Sequence, residues 1–270
     1  VNGVRATLGV MVLAVLLAAI GQSSAHAEGH SVQVTSPAPA TLTAELYTPR
    51  GAGPFPTVIL MHGCGGIGAN VKAWAIWLRH EGYAAFILDS FGGRGLKSLC
   101  ADTSQLLPRV RAEDVFAAAA YLNSLAQVDS GRIAAIGYSH GGSTLLTAAS
   151  IEEQHPNVSI RAFILFYPGC LGHKQLPGTT PILMLLGAKD DWVSTPACEA
   201  LAKSAAATGR SVTAVVYPNA RHHFDGAELR KLTIVADARG GRGATMDYDP
   251  AAHEDAEKQV RAFLAAHLGK

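Results

Sequence analysis

The chain has 270 residues, 49% of them hydrophobic and 16% charged, with a formal net charge of +1 at pH 7. So balanced a charge excludes the basic footprint of a nucleic-acid binder, and the apolar share is enough to fill a sizeable core. The length suits one large α/β domain of about 240 residues behind a short leader and leaves little room for a second.

The leader comes first. Arg5 supplies a positive start, Leu8 to Ile20 is an apolar run, and Ala25-His26-Ala27 is a small-x-small cleavage site. That order reads as a secretory signal peptide over 1–27, with a mature chain from Glu28 and export to a bacterial periplasm or beyond. An uncleaved membrane anchor is the alternative, but an apolar run of roughly a dozen residues is short for a bilayer. With the signal removed, the sequence predicts no stable membrane association.

Val32–Val34 and Leu42–Tyr47 read as short opening strands, antiparallel to each other. Phe55–Met61 is the first apolar strand, Val71–His80 a helix, and Ala84–Asp89 the next strand. A long loop begins at Gly92-Gly93-Arg94-Gly95, and Pro108–Leu125 follows as an amphipathic helix. Ile133–Ile136 is a strand, Ser143–Ala149 a helix, and Arg161–Tyr167 and Pro181–Gly187 are further strands. Thr195–Ala207 is helical, Ser211–Tyr217 is a strand, and Ala251–Leu268 closes the chain as a helix. Between the last two, Leu232–Val235 and Thr245–Tyr248 can pair across a glycine-rich turn as a hairpin. Strands alternating with helices predict an α/β fold: a mainly parallel central sheet with helices on both faces.

The most informative residues are Gly137-Tyr138-Ser139-His140-Gly141-Gly142. Strand, Gly-x-Ser-x-Gly, helix is the nucleophile elbow of α/β-hydrolases, in which a tight turn lifts the serine hydroxyl clear of the sheet. The N–H of His140, at a helix N-terminus, can stabilise an oxyanion there. The glycines of His62-Gly63-Cys64-Gly65-Gly66 let a second loop curl so that the N–H of Cys64 points to the same place. Such a serine needs an acid and then a histidine later in the chain. Asp190 and Asp191 follow one apolar strand, and His222 and His223 follow the next. Carboxyl ends of strands are where open α/β sheets build their sites. The set predicts a triad of Ser139, Asp190 and His222, with Asp191 and His223 as alternatives. The adjacent histidines carry no metal prediction, because sequence neighbours rarely chelate one ion together.

These residues resemble the dienelactone hydrolase family of α/β-hydrolases. The resemblance runs from about Val34 to the last helix. It is carried by His62-Gly63-Cys64-Gly65-Gly66, Leu88-Asp89-Ser90-Phe91, the elbow, Gly187-Ala188-Lys189-Asp190-Asp191-Trp192, and Tyr217-Pro218-Asn219-Ala220-Arg221-His222-His223-Phe224. It implies a small-molecule ester or lactone substrate and no cofactor. The family's Gly-x-x-Asp pattern favours Asp190, and its histidine two places before a phenylalanine favours His222. The founding enzyme uses a cysteine where this chain has Ser139, and an acidic residue near where it has His62-Gly63. It also holds a substrate carboxylate with two arginines. Arg94 lies close to one of those positions, whereas Gly226 occupies the other. Phe91 and Trp192, with Tyr167 and Phe224, are candidate pocket walls.

Four cysteines, Cys64, Cys100, Cys170 and Cys198, all follow the leader. In an oxidising compartment an even number suggests disulfides, for which three pairings exist. The strand reading favours Cys64 with Cys100 and Cys170 with Cys198. Two rival functions remain. Gly63-Cys64-Gly65-Gly66-Ile67-Gly68 satisfies G-x-G-x-x-G, with Asp89 ending the next strand. That fits a NAD(P)-binding oxidoreductase using Gly63, Gly65 and Gly68 but leaves Ser139, Asp190 and His222 without a role. The other rival is a binding protein that keeps the fold without catalysis.

Overall fold

The computed structural model describes Gly3, residues 29–37 and residues 40–269. Apart from Gly3, the expected signal segment lies outside the described residues.

An eight-stranded sheet runs through the molecule in the order β1-β2-β4-β3-β5-β6-β7-β8. Its strands are β1 (His30–Ser36), β2 (Ala40–Tyr47), β3 (Phe55–Met61), β4 (Ala84–Asp89), β5 (Val128–Tyr138), β6 (Phe163–Phe166), β7 (Ile182–Gly187) and β8 (Val212–Tyr217). β1 and β2 are antiparallel, as is β2 with β4, and every later pairing is parallel.

The continuous apolar runs of β3 to β7 follow from burial on both faces. Along β3, Val58 and Leu60 point to one face and Ile59 and Met61 to the other, all fully buried. The first face is covered by α1 (Ala69–His80) and, after β8, the long C-terminal helix Pro250–Leu268. The second is covered by α2 (Pro108–Leu122), α3 (His140–Ile151) and α4 (Thr195–Ala207). Val260 and Leu264 of the C-terminal helix are fully buried, and a side chain of that size gives roughly 1.5–3 kcal/mol on burial.

The predicted elements match these closely. α2 stops at Leu122, short of the expected Leu125, because Asn123–Leu125 turn to place Gln127 O against the N–H of Phe55. The hairpin forms from β9 (Thr233–Val235) and β10 (Ala244–Met246), around a short helical turn, α5 (Ala238–Gly241). The closing helix is therefore α6. Met246 also bridges to His222, so the hairpin lies against the loop after β8. Disulfides join Cys64 to Cys100 and Cys170 to Cys198, the pairing favoured from the strands. Among the described residues no helix is long and apolar enough to cross a membrane.

The turn from β5 into α3 is tightly packed. A Cβ on Gly141 would lie 2.1 Å from Met61 O at the end of β3. Gly141→Ala should therefore push α3 off the sheet and cost at least about 2 kcal/mol, read as a lower thermal unfolding midpoint. An unchanged midpoint would mean that the turn relaxes around the methyl group.

Candidate active site

Ser139 is the residue between β5 and α3, with φ 53° and ψ −116°. Such a conformation costs a non-glycine residue about 1–3 kcal/mol, so surrounding packing must hold it. The loops after β7 and β8 reach the same sheet edge, bringing Asp190 and His222 to Ser139. His222 Nε2 lies 2.9 Å from Ser139 Oγ, and His222 Nδ1 lies 2.7 Å from Asp190 Oδ2. An ionised carboxylate only accepts, so Nδ1 carries the imidazole proton and Nε2 is free to accept from the serine hydroxyl. The other oxygen, Asp190 Oδ1, accepts the N–H groups of Trp192 and Val193 at 2.8 and 3.0 Å. Both side chains are buried. The rings of Tyr167 and Trp192 lie 4.6 and 4.8 Å from the imidazole.

The neighbouring Asp191 and His223 turn elsewhere. Asp191 accepts from the N–H and hydroxyl of Thr245, both at 2.8 Å, and so fastens β10 to the loop after β7. His223 Nε2 lies 2.8 Å from Glu228 Oε1. Burial pulls the His223 pKa down, but the Glu228 hydrogen bond and the charges of Asp225 and Glu228 outweigh it, leaving a net rise.

Two cavities meet at Ser139. The larger, about 760 Å³, is lined by Cys64, Leu107, His140, Leu171, Trp192 and Arg239 among others. The smaller, about 250 Å³, is lined by Gly63, Tyr167, Trp192, His222, His223 and Met246 among others. The glycine-rich loop thus faces the serine. Asp89, the acid expected of a dinucleotide site, accepts the N–H groups of Phe91 and Gly92 at 2.8 and 3.0 Å.

Two predicted substrate contacts need correction. Arg94 does not line either cavity. Both its terminal nitrogens bond Asp114 at 2.8 Å, and one also bonds Ser90 O. A buried carboxylate competes for the guanidinium better than open solvent does. Phe91 is buried edge-on against His62, at 4.3 Å between ring centres, and under the Arg111 guanidinium. Trp192 and Tyr167 do line the cavities, whereas Phe224 is fully buried.

The sequence reading missed two buried polar groups. Arg111 on α2 is fully buried, 2.7 Å from both His62 O and His140 Nδ1. Desolvation lowers its pKa to about 9. Asp225, two residues beyond His223, is also buried and accepts from Tyr167 Oη, Trp74 Nε1 and Asn70 Nδ2 at 2.6, 2.9 and 3.2 Å. A signal for Arg111 did exist. It occupies the same helical stripe as Val115, Ala118 and Leu122, which are all buried.

A mainly parallel sheet in this order, a serine on the turn after β5, and an acid and a histidine after β7 and β8 define an α/β-hydrolase. Residues 42–268 match the dienelactone hydrolase family, and the chain belongs to it. That makes it a member of a hydrolase family. Two curated relatives are similar in sequence. "Putative carboxymethylenebutenolidase" of Methylorubrum extorquens is 24% identical over 65% of this chain, a match spanning 65% of that relative's own length. "Probable 2-oxo-3-(5-oxofuran-2-ylidene)propanoate lactonase" of a Bradyrhizobium species is 28% identical over 67% of this chain and 78% of its own. Among solved structures, a dienelactone hydrolase-like promiscuous phosphotriesterase from metagenomic libraries superimposes with a TM-score of 0.70. It covers 89% of this chain and 98% of that one at 22% identity, a likeness of fold.

His140 and His62 are held neutral, and this makes stability depend on pH. Burial, then the nearby Arg111 charge, lowers His140 to about 3 and takes His62 well below its usual range. In the unfolded chain both take a proton near pH ~6.5. Folded-state values below unfolded ones mean stability that is present above ~6.5 and lost as pH falls from there toward 3. The unfolding midpoint should therefore drop steadily on acidification, and His140→Gln should make the drop shallower. An equally steep fall in that variant would show that His140 is not a source of it.

Proposed function

We propose that this protein is an exported serine hydrolase that cleaves a small carboxylic ester or lactone through an acyl-enzyme. The observation that carries this is the hydrogen-bonded series Ser139 Oγ, His222, Asp190 where the two cavities meet. The names of the two curated relatives support a lactone or related ester as substrate.

In this reaction Ser139 Oγ bonds to the carbonyl carbon while His222 Nε2 takes the hydroxyl proton. Asp190 keeps the imidazole in the tautomer that can accept and stabilises its charged form. The backbone N–H groups of Cys64 and His140 hold the oxygen as it becomes negative. His140 is the first residue of α3, so its N–H has no partner within the helix. His222 then protonates the departing alkoxide, and water attacks the acyl-enzyme by the same route. In a lactone the protonated alcohol remains part of the acyl group, and the second step releases both as one hydroxy acid. The scheme calls on no metal, organic cofactor or nucleic acid. The leader composition, with a catalytic domain over 28–270, and the two disulfides support export.

A short p-nitrophenyl ester tests the assignment. Ser139→Ala should lose about a million-fold in kcat and still fold, and retention of a tenth of the activity would sink the nucleophile.

Asp190→Asn should lose on the order of ten-thousand-fold, because the imidazole then settles in the wrong tautomer. Asp191→Asn, which loosens only the hairpin, should be far milder, and the reverse order would mean that the acid is misassigned.

A further inference from the structure

The two oxyanion donors proposed above sit on separate segments, the loop after β3 and the start of α3. They are useful only if both N–H vectors converge, and something must aim them. A peptide group is rigid and planar, so holding its C=O also sets the direction of its N–H. The Cys64 N–H belongs to the peptide whose carbonyl is Gly63 O. That oxygen lies 2.8 Å from His62 Nδ1 and 3.4 Å from the Gly66 nitrogen. On its other side, His62 Nε2 accepts the Ser90 N–H at 3.3 Å. These partners leave one tautomer for the neutral ring, with the proton on Nδ1 and donated to Gly63 O. The 3.5 Å approach of Arg111 to that Nδ1 is then no hydrogen bond, because both atoms are donors.

Arg111 joins the two segments. One terminal nitrogen donates to His62 O, in the peptide just before the aimed one, and the other to the Nδ1 of His140. Among the described residues, no carboxylate lies within ion-pair distance of Arg111. The nearby Asp114 is taken by Arg94 and by Ser36. A guanidinium is costly to bury, and here its terminal donors go to the two halves of the proposed oxyanion hole.

We propose that His62 and Arg111 are positioning residues for that hole. His62 aims the Cys64 N–H through Gly63 O, and Arg111 holds the loop in register with the elbow by bridging His62 O to the His140 ring. The proposal rests on the serine reaction above.

The test compares Arg111→Met, Arg111→Lys, His62→Asn and His62→Gln, each assayed well below its own unfolding midpoint. Three quantities are read: kcat, KM, and the Ki of a trifluoromethyl ketone whose serine adduct bears the oxyanion. Losing one oxyanion donor outright costs about a hundred- to a thousand-fold in kcat, so misaiming one should cost at least about thirtyfold. Arg111→Met should show that loss with KM within about threefold, and the ketone Ki should rise in step with the fall in kcat/KM. Arg111→Lys, with one compact ammonium for two acceptors, should fall between. His62→Asn puts an amide N–H near the position of Nδ1 and should keep most of kcat. His62→Gln puts it near Nε2 and should lose kcat as Arg111→Met does. If Arg111→Met does not fold, the His62 pair decides.

A kcat within threefold of wild type in Arg111→Met, an unmoved ketone Ki, or equal losses in His62→Asn and His62→Gln would overturn the positioning role. Activity in Ser139→Ala would overturn the reaction and the positioning role together. A dead Ser139→Ala beside an unaffected Arg111→Met would overturn the positioning role alone.

Discussion

Crowding at the turn between β5 and α3 is the constraint around which the site is built. A Cβ on Gly137 would lie 2.4 Å from Gly141 O, and one on Gly141 would lie 2.1 Å from Met61 O. With neither present, α3 starts almost in contact with the ends of β5 and β3. Ser139 is left at φ 53° with its side chain on the open edge of the sheet. The parallel direction of β3 and β5 to β8 does the rest. Every loop after those strands emerges at that edge, so the glycine-rich loop after β3, Asp190 and His222 arrive together.

The second organising feature is the treatment of buried polar groups. Arg111, His62, His140 and Asp225 are each buried and each meet specific partners. Few of those partners are opposite charges. Arg111 meets a carbonyl and a neutral imidazole, and Asp225 meets a phenol, an indole and an amide. Hydrogen bonds of this kind are worth little net, but leaving any one unmade in a dry interior is expensive. They therefore act as geometric locks. Asp225 ties the loop carrying His222 to α1 and to Tyr167, while Arg111 ties α2 to both proposed oxyanion segments. The two doublets divide their labour in the same way. Asp190 and His222 face the serine, whereas Asp191 holds the hairpin and His223 holds Glu228.

Much of this was legible in the chain itself. Phe55–Met61 and Ala84–Asp89 are strands with the bounds read from their apolar runs, and Thr195–Ala207 is the helix read from its composition. A strand buried on both faces announces itself by an unbroken apolar run, which is a local property. The elbow was legible because its Gly-x-Ser-x-Gly pattern is contiguous in the chain, although the crowding that requires Gly141 comes from Met61 O on β3. Arg94 and Phe91 were misread because a loop position says which edge a residue is near, not which way its side chain turns. Arg94 turned inward to Asp114, twenty residues later on another element. Arg111 went unnoticed because a charge within an amphipathic helix is ordinarily solvated, and only its place on the apolar stripe marked it out.

The sequence by itself determined the alternation of strands and helices, the serine turn, the order of acid and histidine, and the sheet edge on which they fall. All of these rest on interactions between near neighbours or on the connection rules of parallel sheets. The residues favoured Asp190 and His222 but kept Asp191 and His223 as alternatives, and the family resemblance leaned the same way. Tertiary structure decided which member of each doublet reaches Ser139, where Arg94 and Phe91 go, and what Arg111 holds. The partner that settles each of these lies on an element far away in the chain. No local pattern can encode such a partner until the sheet has brought the two elements together.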